Sequence, residues 1–273
     1  MTSHTLPPLM IDTHCHLTFP DFAGRLDTVL TDARAAGVTG AITISTTTVD
    51  CLDALEIARG HDRVWCSAGV HPLYSHKGPH RWESLRLAGR DPKCVAWGEL
   101  GLDNHYTGAH RDTQHAVLAD QLAFLEALAA EDPGRLDKPI VLHCREAFEE
   151  LIPILERTSF APERFVFHCF TGSPEDMRRI NDFGAFVSFT GVVTYKNAPE
   201  VAEAAKLAPI ERVMVETDAP FLTPAPHRGE RPCEPRHSRV TAEFLAGLRG
   251  MAWDEFHAQI NRNTRAFFGI DAE

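Results

Sequence analysis

The sequence predicts an α/β fold, a (β/α)8 TIM barrel, from three observations. Short runs rich in β-branched and aromatic residues recur eight times, segments with helical spacing separate them, and metal-type side chains stand at or just past the ends of the runs. Strand and helix in alternation call for a parallel sheet with right-handed crossovers, and eight such units close a barrel. A barrel delivers every strand's C-terminal end to one face, so His14, His16, Glu99, His143, His168 and Asp218, far apart in the chain, are expected to meet there.

The expected strands are residues 9–12, 41–46, 64–70, 95–100, 139–143, 165–168, 185–189 and 212–217. Helical spacing marks residues 25–36, 113–130, 147–155 and 174–182. Ser173, Pro174 and Glu175 read as an N-cap, a first-turn proline and a first-turn acid, and Gly184 stands where that helix should stop. Asp91-Pro92 and Asp132-Pro133-Gly134 mark loops between helix and strand. A Pro- and Arg-rich loop over residues 220–239 follows the eighth strand, and two terminal helices are expected to cover the barrel's outside or end.

Bulk composition agrees with one domain over residues 9–270. The chain has 273 residues, 44% of them hydrophobic, and one such barrel usually takes about 250 residues. Lys and Arg total 27 against 38 Asp and Glu, and the net charge of −11 argues against coating nucleic acid through a basic surface. A polyanion must be held locally. The seven cysteines include no CxxC pair, which disfavours a disulfide framework and fits a reducing compartment. Residues 1–8 carry no leader pattern and no apolar stretch is long enough to span a membrane, so a cytoplasmic protein, acting as a monomer and without membrane contact, is expected.

His14 and His16 are one residue apart, so in an extended segment both point the same way while Cys15 points opposite. The same parity turns Cys144 and Cys169 away from the faces of His143 and His168, toward the surrounding helices. One histidine alone is more often a buried, hydrogen-bonded ring than a ligand. The whole set, an HxH after strand one, His after strands five and six and Asp after strand eight, follows the ligand order of metal-dependent barrel hydrolases. Two ions need a shared anionic ligand, and Glu99 on strand four can bridge, with Asp103 as its competitor. Lys93, at the start of that strand, lies at the wrong end for a carbamylated bridge.

Several motifs together resemble the TatD family of metal-dependent deoxyribonucleases. They are IDTHCHL (residues 11–17), GVHP (69–72), GELGLD (98–103), LHCR (142–145), HCFTG (168–172), SFTGVVTYKNA (188–198) and ETDAPFLTPAPHRG (216–229). The resemblance implies a metal-dependent hydrolase barrel with extra C-terminal helices and a binuclear centre. In it His14, His16 and Asp218 hold one divalent ion, His143 and His168 the other, and Glu99 bridges. It also implies a nuclease, expected to be an exonuclease on single-stranded or end-bound DNA, with magnesium, manganese or zinc as the metal. Thr18, Asn104, His105 and the loop at residues 228–235 depart from the family pattern without removing a ligand.

Phosphodiester hydrolysis needs a nucleophile at neutral pH and charge neutralisation at the phosphoryl group, which a two-metal site supplies. Asp218 and Glu99 are the expected catalytic carboxylates, Asp218 accepting the proton of the attacking water. Arg145 shares the parity of His143 and is expected either to grip a phosphate or to pair internally with Glu216 or Asp103; both readings stay open. Glu216, two before Asp218, is placed one layer deeper to orient a ligand.

Substrate contacts are expected from His71, Tyr106, Phe170, Tyr195 and Arg228, with Tyr74 a further aromatic candidate; His71 alternatively only anchors its loop. His227, Arg228, Arg231, Arg236, His237 and Arg239 form a candidate basic patch, diluted by Glu230 and Glu234. The alternative function is an amide, lactone or nucleobase hydrolase on the same barrel. A metal-stabilised binding protein would have little use for Asp218, and a Schiff-base aldolase lacks a lysine at a strand end.

Overall fold

Eight parallel strands pair in chain order in the computed structural model, which describes residues 10–270: β1 (Ile11–Cys15), β2 (Gly40–Thr43), β3 (Val64–Ala68), β4 (Cys94–Asp103), β5 (Ile140–Arg145), β6 (Phe165–Phe167), β7 (Phe186–Phe189) and β8 (Val213–Val215). The ring is completed where the chain beyond β8 meets β1. Cys15 bridges Ala219 in parallel, the Asp218 amide donates to the His14 carbonyl at 2.9 Å, and the His16 amide donates to the Ala219 carbonyl at 2.7 Å. Leu9, the first residue of the expected first strand, and residues 1–8 lie outside the described residues.

Helices alternate with the strands: α1 (Leu26–Ala35), α2 (Asp50–Gly60), α3 (Trp82–Gly89), α4 (Arg111–Glu131), α5 (Phe148–Leu155), α6 (Pro174–Phe183), α7 (Pro199–Leu207), α8 (Ser238–Leu248) and α9 (Trp253–Phe268). The start of α6 carries the cap that its sequence announces. Asp176 N donates to Ser173 Oγ at 3.2 Å, Ser173 N donates to Asp176 Oδ2 at 2.9 Å, and Gly184 closes the helix at φ 96°. Among the described residues no helix is long and apolar enough to cross a membrane.

Two apolar layers hold the barrel. A large one lies between sheet and helices and includes Cys15, Cys66, Trp97, Leu142 and Phe167. A smaller one gathers Ile11, Ile42, Ala96, Val141, Val166 and Met214 from the strands with Phe267, Phe268 and Ile270 from the chain's end. The second terminal helix thus closes one end of the barrel, tied down where Asn263 Nδ2 donates to the carbonyls of Ile210 (2.7 Å) and Val213 (2.8 Å).

Two irregular strands aim the polar residues at the other end. Along β1 the register against β2 shifts between Asp12 and Cys15, so Ile11 joins the inner layer while Cys15, of the same parity, joins the outer one. Along β4 the register against β5 shifts between Trp97 and Leu100. There Gly98 has φ 129° and Gly101 φ 146°, and a Cβ on them would meet Val141 O at 2.5 Å and His143 O at 1.9 Å. Only glycine fits such a backbone. The kink turns Glu99 inward, beside Asp103, instead of outward with Trp97.

Candidate metal centre

The six predicted ligands meet at the C-terminal mouth of the barrel. His14 Nε2 and His16 Nε2 lie 3.4 Å apart, close to the separation of about 3.4 Å that a tetrahedral ion imposes on two nitrogens bound at about 2.0–2.1 Å. Asp218 Oδ1 is 3.6 Å from the first and 3.3 Å from the second, and Glu99 Oε2 is 3.3 Å from His14 Nε2. The other carboxylate oxygen, Glu99 Oε1, faces a second group: His168 Nε2 at 2.7 Å, His143 Nδ1 at 2.8 Å and His71 Nε2 at 3.3 Å. Glu99 stands between two sets of donors.

Acceptors face the far side of three of the rings, within hydrogen-bond geometry for His16 and His143 and as an ion-pair contact for His168. His16 Nδ1 faces the Ile44 carbonyl at 3.1 Å, His143 Nε2 faces Asp103 Oδ2 at 2.8 Å and His168 Nδ1 faces Glu216 Oε1 at 3.4 Å. Each of these partners is an acceptor, so the ring hydrogen is drawn to that side and the lone pair is left toward Glu99 or Asp218. His71 is the opposite case. Its Nδ1 accepts from the Leu73 amide at 3.0 Å, which puts the hydrogen on Nε2, facing His143 Nδ1 at 3.2 Å and Glu99 Oε1 at 3.3 Å. It anchors its loop and touches the centre at once.

Lone pairs aimed at a carboxylate repel it unless a cation lies between them, and the buried Glu99 Oε2 has no hydrogen-bond partner. The donor set therefore fits divalent cations. Burial alone would neutralise Glu99, but His168, His71 and His14 outweigh it and hold the carboxyl well below its ordinary range. Burial likewise opposes ionisation of Asp218, and His16 and His14 outweigh it. In His14 burial prevails and lowers the pKa, whereas in His16, His143 and His168 the facing carboxylates outweigh burial and raise it, so a bound cation would take the place of those ring protons.

Glu216 lies behind the ligands. Its Oε1 accepts from the Cys169 amide at 2.6 Å, and its Oε2 accepts from Ser188 Oγ at 2.7 Å and Thr13 Oγ1 at 3.2 Å. With both oxygens occupied by the chain it orients His168. Lys93 Nζ donates to the carbonyls of His61 and Val64, away from the mouth.

A cleft of about 800 Å³ opens above the ligands, lined among others by His71, Tyr74, Tyr106, Arg145, Tyr195, Arg228 and Arg231. Arg145 Nη1 donates to Thr171 Oγ1 at 2.6 Å, its buried Nε has no partner, and among the described residues it forms no ion pair with Glu216 or Asp103. Arg228 lies over the Tyr195 ring at 3.8 Å, and the Tyr195 hydroxyl donates to the Thr223 carbonyl at 2.9 Å. Tyr106 is 60% exposed at the rim.

Three expectations need correction. Phe170 is 1% exposed and packs against Phe148 and Phe189, so it is core and not a stacking surface. Cys169 borders the cleft instead of pointing to the helices, because its φ of 46° breaks the strand alternation that the parity argument assumed. The basic patch shrinks to Arg228 and Arg231, since Arg236 pairs with Glu230 and Glu234, and Arg239 pairs with Glu243 and stacks on Trp253. Sequence reasoning missed Thr171, Asn197, Phe19 and Phe221, which also line the cleft; Phe19 lies two residues past IDTHCHL, and the other three lie inside the motifs HCFTG, SFTGVVTYKNA and ETDAPFLTPAPHRG.

His227, Glu230 and His237 form a further cluster of ligand-type atoms. It reads as a clasp. His237 Nδ1 accepts from the Glu234 amide at 3.1 Å, so its Nε2 carries the hydrogen and donates to Glu230 Oε2 at 3.2 Å, while His227 Nδ1 lies 2.7 Å from Glu230 Oε1.

Comparison with known proteins shows the family. The family model described as TatD related DNase matches residues 11–269. The chain is 35% identical over 267 residues to an uncharacterized metal-dependent hydrolase, YcfH, of Escherichia coli K12, covering 96% of this chain and 97% of that protein. It is 34% identical over 270 residues to the 3'-5' ssDNA/RNA exonuclease TatD of Klebsiella pneumoniae, covering 96% of this chain and 98% of that protein. The crystal structure of YjjV, a TatD homolog of E. coli K12, superposes with a TM-score of 0.86 at 29% identity, covering 96% of this chain and 98% of that one.

Proposed function

The chain belongs to the TatD-related DNase family of metal-dependent hydrolases, and from that premise we propose that it cuts phosphodiester bonds at the end of single-stranded nucleic acid. The observation that carries the reading is the division of Glu99, with Oε2 toward His14 and Oε1 toward His143 and His168. That division supports two divalent ions, the first held by His14, His16 and Asp218, the second by His143 and His168, with Glu99 shared. Removal of residues from the 3' end is proposed from relatives named as 3'-5' ssDNA/RNA exonucleases. Action as a cytoplasmic monomer belongs to the same proposal. The compartment is supported by the seven free cysteines.

The ions, when bound, would neutralise the nonbridging phosphoryl oxygens and ease the formation of a nucleophile from water. The chain's own groups do the rest. Asp218 is kept ionised by His16 and His14 and accepts the proton of the attacking water. Arg145, fixed by Thr171, would donate to the phosphate, and Arg228, laid on Tyr195, to the next one along the strand, while His71 Nε2, facing His143 and Glu99, supports the centre from the side.

The test is incubation with end-labelled single-stranded DNA and RNA in Mg²⁺, Mn²⁺ or Zn²⁺, beside a panel of lactones and amides. Release of nucleotides from the 3' end that stops on chelation is expected. Turnover of an amide or lactone with no cleavage of any phosphodiester would overturn the reading.

A further inference from the structure

We propose that Phe221, backed by Phe19, forms a base-stacking subsite that takes the nucleobase next to the scissile phosphodiester. The inference rests on the reading of the protein as a nucleic-acid hydrolase and names a determinant of its specificity. Three rings run outward from the metal centre. Phe19 stacks on the ligand His16 with centroids 4.8 Å apart and planes 23° apart, and Phe221 stands edge-on to Phe19 at 6.0 Å and 81°.

The outermost ring is held in place from its own backbone. The Phe221 amide donates to the Asp218 carbonyl at 2.9 Å, which ties the ring to a ligand through one tight turn. Asp218 and Leu222 on either side of that turn both have φ 59°, a conformation that costs energy for residues with a Cβ and marks a position set by its surroundings. Phe221 is nevertheless 45% exposed. A single exposed Phe needs no explanation. Here, however, only Tyr106 and Phe221 of the exposed large apolar side chains among the described residues line the cleft.

Of the other rings, Tyr106 stands at the rim edge-on to His105 and Tyr74 lies under Lys77. Arg228 covers a face of Tyr195, and Phe170 is core. An open aromatic face beside the metal ligands, with Arg145, Arg228 and Arg231 in the same cleft for phosphates, matches a nucleotide with its base on one side and its phosphate on the other. Because every base has a stackable face, the subsite tolerates any sequence. It demands an unstacked base, which selects single strands over duplex ends.

The experiment compares wild type with Phe221→Ala, Phe221→Leu and Phe221→Trp on an oligonucleotide carrying 2-aminopurine at its 3' end and on the same strand with abasic 3' residues. Expected is quenching of 2-aminopurine fluorescence on binding to metal-free wild type, lost in the Ala and Leu variants and kept in Trp. In metal, KM for the base-bearing strand should rise about tenfold in Ala and Leu with kcat unchanged, and Trp should restore it. On the abasic strand all four proteins should behave alike. Quenching that is absent, or indifferent to Phe221, overturns the subsite, as does an equal KM rise on both strands. Quenching that depends on Phe221 in a protein that cleaves no phosphodiester keeps the subsite and defeats the hydrolase reading instead.

Discussion

His143 points Nε2 at Asp103 Oδ2 across 2.8 Å, and this one contact decides what its other nitrogen can do. With the ring hydrogen held by Asp103, Nδ1 presents its lone pair 2.8 Å from Glu99 Oε1. Asp103 is itself fixed, its Oδ1 accepting from the amides of Tyr106 (2.7 Å) and His105 (3.0 Å). Burial raises its pKa less than His143 and these amides lower it, so it is held below the ordinary carboxylate range.

Asp103→Asn keeps an acceptor but loses the charge that makes the ring a better donor. Affinity for divalent metal should fall by about 10–100-fold, as for other partners of ligating histidines. Calorimetric titration of metal-free protein measures this, and affinity equal to wild type would remove Asp103 from the centre.

Asp218 is assigned two tasks, and a substitution can separate them. In Asp218→Asn an oxygen remains to face His16, while the proton acceptor is gone, so metal should be retained and turnover should drop by about 10²–10⁴-fold. Metal content from elemental analysis beside kcat on a single-stranded oligonucleotide gives both readouts. Turnover near that of wild type would end its role as base.

How much of this could be read from the chain follows from the range of each signal. His14 and His16 could be placed because parity acts between neighbours, and so could Arg145, two residues beyond His143 on the regular strand β5. Cys169 and Phe170 could not. The positive φ at Cys169 ends the alternation one residue after His168, and nothing local announces it. The shift of β4 at Gly98 is of the same kind, yet there the GELGLD glycines flag a special backbone. The basic run after residue 226 misled because charge partners were counted by composition, whereas Glu230 and Glu234 bind particular side chains, Arg236 among them, and hold them off the cleft.

Away from the site, Asp91 offers a pH-dependent contribution with a definite sign. Its Oδ1 accepts from Lys93 N at 2.8 Å and its Oδ2 from Arg59 Nε at 2.9 Å. Burial pushes its pKa up, but the Lys93 amide and Arg59 outweigh it and lower the value. A lowered folded pKa means the stabilisation is complete above the unfolded value of about 3.9 and is lost as pH falls through the folded one. Urea unfolding of wild type and Asp91→Asn should therefore differ by about 1 kcal/mol at pH 7 and converge in acid. A gap that widens in acid would reverse the sign and refute the assignment.

Closure of the barrel's far end is a matter of packing, with consequences for stability and not for chemistry. Phe268 is 4% exposed and meets Phe267 edge-on at 4.9 Å, within the cluster that joins Ile11, Ile42, Val141, Val166 and Met214. Phe268→Ala removes a ring from a layer that rigid strands cannot collapse around, so the cost should be about 3–5 kcal/mol. For a chain of this size that lowers the melting temperature by on the order of 10 °C. The metal ligands sit at the opposite mouth, so kcat measured well below the transition should be unchanged. Calorimetry and a rate assay on the same preparation decide it. Loss of turnover with no loss of stability would mean that this end of the barrel couples to the metal centre by a route other than packing.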